Sequence, residues 1–123
     1  MKKENIVVEK TYAFAIRIVN CYKFLQAEKK EFVLSKQLLK CGTSIGANVE
    51  EAVGGQSKKD FFAKLSIAYK EAREVNYWLR ILRDTQFLDP KIAESLLLDN
   101  EEILKLIGSI LKTMKSQFLI PNS

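Results

Sequence analysis

The sequence predicts an all-α protein, an up-down-up-down antiparallel four-helix bundle, on three observations. Apolar residues recur at steps of three and four along most of the chain, the spacing that gathers them on one side of a helix. Only 5 glycines and 2 prolines occur in 123 residues, so the elements are long. Those few breakers and the polar runs beside them divide the chain into four segments of similar length. No segment alternates polar and apolar residues over a useful length, which argues against strands.

The first helix is expected over 6–28. Phe14, Ile18, Cys21 and Leu25 form one apolar ridge, and Val8, Tyr12, Ala15, Val19 and Tyr22 form a second beside it. Two adjoining ridges make an unusually wide apolar face. The charged run Glu28-Lys29-Lys30-Glu31 reads as a turn. The second helix is expected over 33–53, with Leu34, Leu38, Cys41 and Ile45 on its ridge. Gly42 and Gly46 share a face. Each glycine costs about 1 kcal/mol inside a helix. The pair therefore implies either close approach of another backbone or a locally weak, kinked helix. Gly54-Gly55 ends this helix.

The third helix is expected over 58–84. Ser57 is a natural N-cap, with Asp60 near the positive end of the helix dipole. Phe61, Leu65, Ala68, Ala72, Val75, Leu79 and Leu82 give the strongest periodic signal in the chain. The fourth helix is expected over 90–116, with Asp89 as cap and Pro90 at the first helical position. Ile103, Ile107, Ile110 and Met114 form one ridge. Leu97, Leu104, Leu111 and Phe118 form another, repeating every seven residues. The tail 121–123 is expected to fray. Long helices joined by short turns fit one bundle domain over 1–123.

The apolar fraction of 47% is that of a globular protein. Charged residues, 28% of the chain, are too well mixed with apolar ones for a disordered segment. The formal net charge of +5 admits nucleic acid as a partner, but on composition alone a basic solvated surface is the readier reading. The apolar run after Asn5 is too short for a signal-peptide core, and no run approaches a bilayer-spanning length. A cytoplasmic protein with no membrane role is expected. Cys21 and Cys41 have no metal-ligand spacing and read as reduced core thiols.

Catalytic chemistry has little to build on. The chain contains 0 histidines, which excludes histidine-based triads, general bases and metal ligands. Glu50-Glu51, Glu71 with Glu74, and Asp99 with Glu101-Glu102 read as solvated helix faces. Gly54-Gly55-Gln56-Ser57-Lys58 lacks the phosphate-loop spacing and follows a helix, so it reads as an interhelical turn. No enzyme, cofactor or metal is expected.

Two features go beyond a plain bundle. Ala63, Ile67, Trp78 and Ile81 fall away from the main ridge of the third helix, and Leu97, Leu104 and Leu111 form a surplus ridge on the fourth. Surplus apolar surface marks an interface, here self-association. The competing reading is a broad core face with scattered exposed apolar residues. Second, Lys59, Ser66, Arg73 and Arg80 stand seven apart, flanked by Lys70 and Tyr77. The charged members span about 31 Å at 1.5 Å per residue. Such a stripe can follow a phosphate backbone while a tyrosine stacks on an unpaired base. Lys58, and Lys36 with Lys40 on the second helix, add charge. The competing reading is a solvated face paired with Glu71, Glu74 or Asp84.

The stretch Gln37-Leu38-Leu39-Lys40-Cys41-Gly42-Thr43-Ser44-Ile45-Gly46-Ala47-Asn48-Val49-Glu50-Glu51 resembles a bacterial four-helix-bundle family. That family is named after proteins encoded in intervening sequences of 23S ribosomal RNA genes. Ser44, Ile45, Ala47, Asn48 and Glu51 fit its first motif, and Gly54, Phe61, Leu65, Ala68 and Glu74 fit its second. Gly46 stands where proline is common, and Gly55 where arginine is usual. The resemblance implies a ring-like homopentamer with no enzymatic activity, related to the nucleic-acid-binding accessory protein of diversity-generating retroelements. Asn48 is polar on a mostly apolar helix. A buried hydrogen bond to Glu51, Ser44 or a backbone group is expected, serving fold specificity.

The expected function is that of a non-catalytic homo-oligomeric bundle binding nucleic acid, structured RNA ahead of DNA, through the basic helix face. The alternative is an oligomeric scaffold or adaptor that recruits a protein partner.

Overall fold

The computed structural model describes residues 2–119. Four helices account for most of them: α1 (Lys2–Ala27), α2 (Leu34–Val53), α3 (Lys58–Asp84) and α4 (Pro90–Met114). A π-helical turn, Lys115–Leu119, follows α4. Among the described residues there is no strand. The side chain of Phe118 and the tail 121–123 lie outside what is described.

Helices neighbouring in sequence are neighbours in space: α1 packs on α2, α2 on α3, and α3 on α4. The short connections 28–33, 54–57 and 85–89 leave each helix no choice but to run back along the one before it. The ring closes through a looser seam between α4 and α1. There, Lys10 pairs with Glu102 at 2.9 Å and Arg17 with Asp99 at 2.6 Å. The core holds Phe14, Ile18 and Leu25 of α1, Leu38 and Ile45 of α2, Leu65, Leu79 and Leu82 of α3, and Ile103 and Ile107 of α4. These are the primary ridges the periodicity marks. The second ridge of α1 is only half-buried, and its Tyr12 is 63% exposed.

The two glycines of α2 have different neighbours. A Cβ on Gly46 would stand 3.3 Å from the backbone oxygen of Thr11, so this glycine does mark a close backbone approach. A Cβ on Gly42 would instead meet the Ile18 side chain at 2.7 Å. α2 runs unbroken through both. Thr11 is buried opposite Gly46, and its hydroxyl donates to the Val7 carbonyl at 2.7 Å, so no polar group is stranded there.

Helix starts follow local chemistry. Ser57 accepts from the Asp60 N–H at 3.0 Å, and Asp89 from the Lys91 N–H at 2.8 Å. The start of α2 is capped by Glu31. Its carboxylate accepts from the N–H groups of Val33, Leu34 and Ser35 at 3.2, 3.0 and 2.7 Å. The Ser35 hydroxyl donates back to the Glu31 carbonyl at 2.8 Å. Burial opposes ionisation of Glu31, but these hydrogen bonds outweigh it and hold the carboxyl below its ordinary range. Both cysteines are free and buried. Burial pushes the Cys21 thiol up to about 11, against the pull of Arg17. Burial, with the carboxylates of Glu74 and Glu71, pushes Cys41 up to about 12.

Candidate nucleic-acid interface

The edge of α3 that meets α4 carries Tyr69, Arg73, Asn76 and Arg80, in successive steps of four, three and four. That spacing places them along one side of the helix. The facing edge of α4 carries Glu101, Lys105, Gly108 and Lys112. Between these edges runs an open groove of about 570 Å³ with Leu104 in its lining. A second hollow of about 410 Å³ shares Tyr69, Gly108 and Lys112 with the first, and adds Phe62, Ser66, Leu111 and Lys115. The two therefore form one furrow.

Charge in the furrow is one-sided. Arg73 and Arg80 line one bank, Lys105 and Lys112 the other, and Glu101 is the only carboxylate among the described lining residues. Arg73, Lys105 and Lys112 join no ion pair among the described residues. The Arg80 Nε donates to the Asn76 Oδ1 at 2.8 Å, which steadies the guanidinium at the rim. Lys112 sits beside Ser66, the one uncharged member of the α3 stripe, so α4 supplies the cation that α3 lacks there.

Tyr69 is half-buried and packs against the core. It lies where the two hollows meet. A Cβ on Gly108 would come within 3.3 Å of the Tyr69 ring, so this glycine gives the ring its place.

Of the basic residues marked by the sequence, Arg73 and Arg80 come together here. Lys59 and Lys70 are exposed on α3 but do not line the furrow. Lys58 borders a different hollow with Phe61 and Ile110. Lys36 and Lys40 lie on α2, and Lys40 is close enough to Glu71 to favour its ionised form. Glu71 and Arg73 are two residues apart, which points them to nearly opposite sides of α3. The α2 lysines therefore do not extend the furrow. Lys105 and Lys112 escaped sequence reasoning, although they repeat the seven-residue spacing of Arg73 and Arg80.

The residues assigned to an oligomer interface divide. Ala63 and Ile67 are exposed, Ile67 by 41%. Ile81 is half-buried. Trp78 packs against the core, and its Nε1 donates to Glu74 at 3.1 Å. Leu97, Leu104 and Leu111 are half-buried: each packs against its own core and keeps part of its side chain on the surface. Besides Ile67, the exposed large apolar residues include Ile6, Tyr12, Ile16 and Phe24 of α1, Tyr77 of α3, and Ile92 and Leu98 of α4.

The motif residues have structural partners. Asn48 donates to the Ser44 backbone carbonyl at 2.8 Å, one of the expected partners, although the side chain is half-buried rather than fully buried. Glu51 pairs with Lys64 at 2.9 Å and links α2 to α3. Glu71 is raised above the usual carboxylate range, first by burial and then by Glu74.

The profile of the 23S rRNA-intervening sequence protein family matches residues 3–109. The chain belongs to that family. It is also similar to a crystal structure of a protein of unknown function from the S23 ribosomal protein family of Bacteroides thetaiotaomicron VPI-5482. Identity is 54% and the TM-score 0.88, over 89% of this chain and 98% of that one. No curated protein matches the chain. In this chain the furrow is built almost wholly within the matched span; only Lys112 and Lys115 and the adjoining Leu111 fall after it. No helix among the described residues is long and apolar enough to cross a membrane.

Proposed function

We propose that this chain is a non-catalytic, homo-oligomeric bundle that binds nucleic acid, structured RNA ahead of DNA, through the α3/α4 furrow. The reading is carried by one observation: Arg73, Arg80, Lys105 and Lys112 converge from two helices on a groove with a single carboxylate. Cations gathered this way displace the counterions condensed on a phosphate backbone, and that release drives binding. Assembly into a ring, the pentamer implied by the family resemblance, repeats the furrow and multiplies avidity. The buried free thiols suit a reducing bacterial cytoplasm.

Fluorescence anisotropy with a labelled structured RNA tests this. The logarithm of affinity should fall with the logarithm of salt at a slope of about −3, from four contacts at about 0.7–0.9 each. Arg73→Glu with Arg80→Glu should weaken binding and leave the helical circular dichroism intact. Affinity indifferent to both salt and charge reversal removes the proposal.

A second reading, a scaffold for a protein partner, is favoured by a separate feature. Phe24 and Ile92 are exposed beside an apolar hollow of about 360 Å³ between α1 and α4, which Leu88 and Leu96 also line. Recovery of one defined protein through this face, lost in Phe24→Ser, would support it.

A further inference from the structure

We infer that the α3/α4 furrow takes one unpaired RNA strand, with a base against Tyr69 and phosphates held between the two banks of cations. This inference rests on the nucleic-acid reading above and narrows it to a strand state.

Three features favour a single strand over a duplex. The first is the placement of charge. Arg73 and Arg80 stand on one bank, Lys105 and Lys112 on the other. A strand lying in the furrow meets cations from both sides. Packed helices stand about 8–10 Å apart. That is an axis-to-axis distance, so the furrow is a narrow groove along the seam of two touching helices, and a duplex would touch only its outer tips.

The second feature is the lining. Tyr69, Leu104 and Gly108 put an aromatic ring, an apolar side chain and bare backbone in the furrow. Unpaired bases have flat apolar faces that stack on such a surface, and stacking tolerates any base. A duplex hides those faces and would leave the lining wet.

The third feature is the position of Tyr69. Tyr69 lines both hollows, so the furrow continues past it on either side, with the longer arm toward Arg80. From Arg80 to Ser66 the path runs about 21 Å at 1.5 Å per residue. A strand of that length passes Tyr69 with cations before and after it.

The test compares a labelled single-stranded oligouridylate with duplex RNA of equal length at one fixed salt, using the full chain. The single strand should bind at least ten-fold tighter. Tyr69→Leu keeps apolar volume but removes the ring, and should cost about ten-fold on the single strand and nothing on the duplex. Gly108→Val, which fills the furrow from the α4 side, should have the same selective effect if Tyr69→Leu does not fold. Photocrosslinking of a thiouridine-substituted strand to the unaltered chain should label the peptide bearing Tyr69. Equal affinity for both RNAs, weakened by Arg73→Glu with Arg80→Glu but not by Tyr69→Leu, would overturn the strand assignment and leave nucleic-acid binding standing. A crosslink confined to the α2 peptide bearing Lys36 and Lys40 would overturn it as well. Failure to bind either RNA at any salt would remove the broader reading too.

Discussion

Asn100 of α4 donates its side-chain amide to the backbone carbonyl of Ala72 on α3, at 2.8 Å, and both residues are fully buried. It is a buried polar tie between helices, whereas the Asn48 bond stays within α2. Among the described residues the Asn100 Oδ1 has no hydrogen-bond partner. The bond fixes the register of α3 against α4, and with it the two banks of the furrow.

The consequence for stability depends on what replaces the amide. Asn100→Ala removes the bond and leaves a void, and should lower unfolding free energy by about 1–3 kcal/mol in a urea titration. Asn100→Leu keeps the branched shape, with slightly bulkier tips, and buries no unpaired acceptor, while the Ala72 carbonyl retains its helical bond. Its loss should be under about 1.5 kcal/mol. Equal losses in the two variants would mean that the amide is not a stabilising tie.

Gly42 and Gly46 separate two kinds of close contact. In Gly42→Ala the new Cβ meets Ile18, a β-branched side chain with one strongly preferred rotamer in a helix. Overpacking of about 1–3 kcal/mol should outweigh the gain of about 1 kcal/mol in helix propensity. Ile18→Val in the same chain should recover part of the loss. At Gly46 the obstacle is the Thr11 backbone, so no side-chain change on α1 should rescue Gly46→Ala. Thermal melts of the single and double variants decide this.

Glu31 gives α2 a pH-dependent start. Its folded carboxyl is held below the ordinary value of 4.5. A depressed pKa means that the folded state favours the ionised form. The stabilisation is therefore complete above about pH 4.5 and is lost as pH falls through the lowered folded value. Glu31→Gln should be less stable than the unaltered chain near neutral pH, by about 1 kcal/mol as for other helix caps. The gap should close in acid. A gap that stays constant from neutral pH to below pH 4.5 would show that ionisation of Glu31 has no part in the cap.

What the sequence revealed follows from how each feature acts. The ridge from Leu65 to Leu82 was legible because burial alone sets its period, and all six of its members there are buried. The start of α1 was not, because Lys2–Asn5 carries no apolar marker and helix simply continues where nothing breaks it. Glu31 looked like turn charge, since it caps a helix from outside its first turn. Asn48 drew attention by standing among apolar residues. Asn100 carries the better signal: it takes a core position between Leu96 and Ile103, at steps of four and three. The furrow was half legible. Periodicity gives the face of each helix but not which faces abut, so the lysines of α4 could not be joined to the arginines of α3.

That last difference leaves two rival sets of lysines for the proposed RNA contact. Lys36 and Lys40 joined the basic surface as a one-turn pair on α2, whereas Lys105 and Lys112 line the furrow through the packing of α4 on α3. Lys105→Glu with Lys112→Glu should weaken RNA binding about as much as Arg73→Glu with Arg80→Glu, and should flatten the salt slope by about 1.5, from two contacts at about 0.7–0.9 each. Lys36→Glu with Lys40→Glu changes net charge equally but lies across α3. Screening beyond about 8–10 Å at physiological salt confines its effect to a small, salt-sensitive loss. All three pairs involve exposed residues, so none should unfold the bundle. Affinity measured at two salt concentrations for the three variants ranks them. If the α2 pair proved as damaging as the α4 pair, binding would track total charge rather than the furrow.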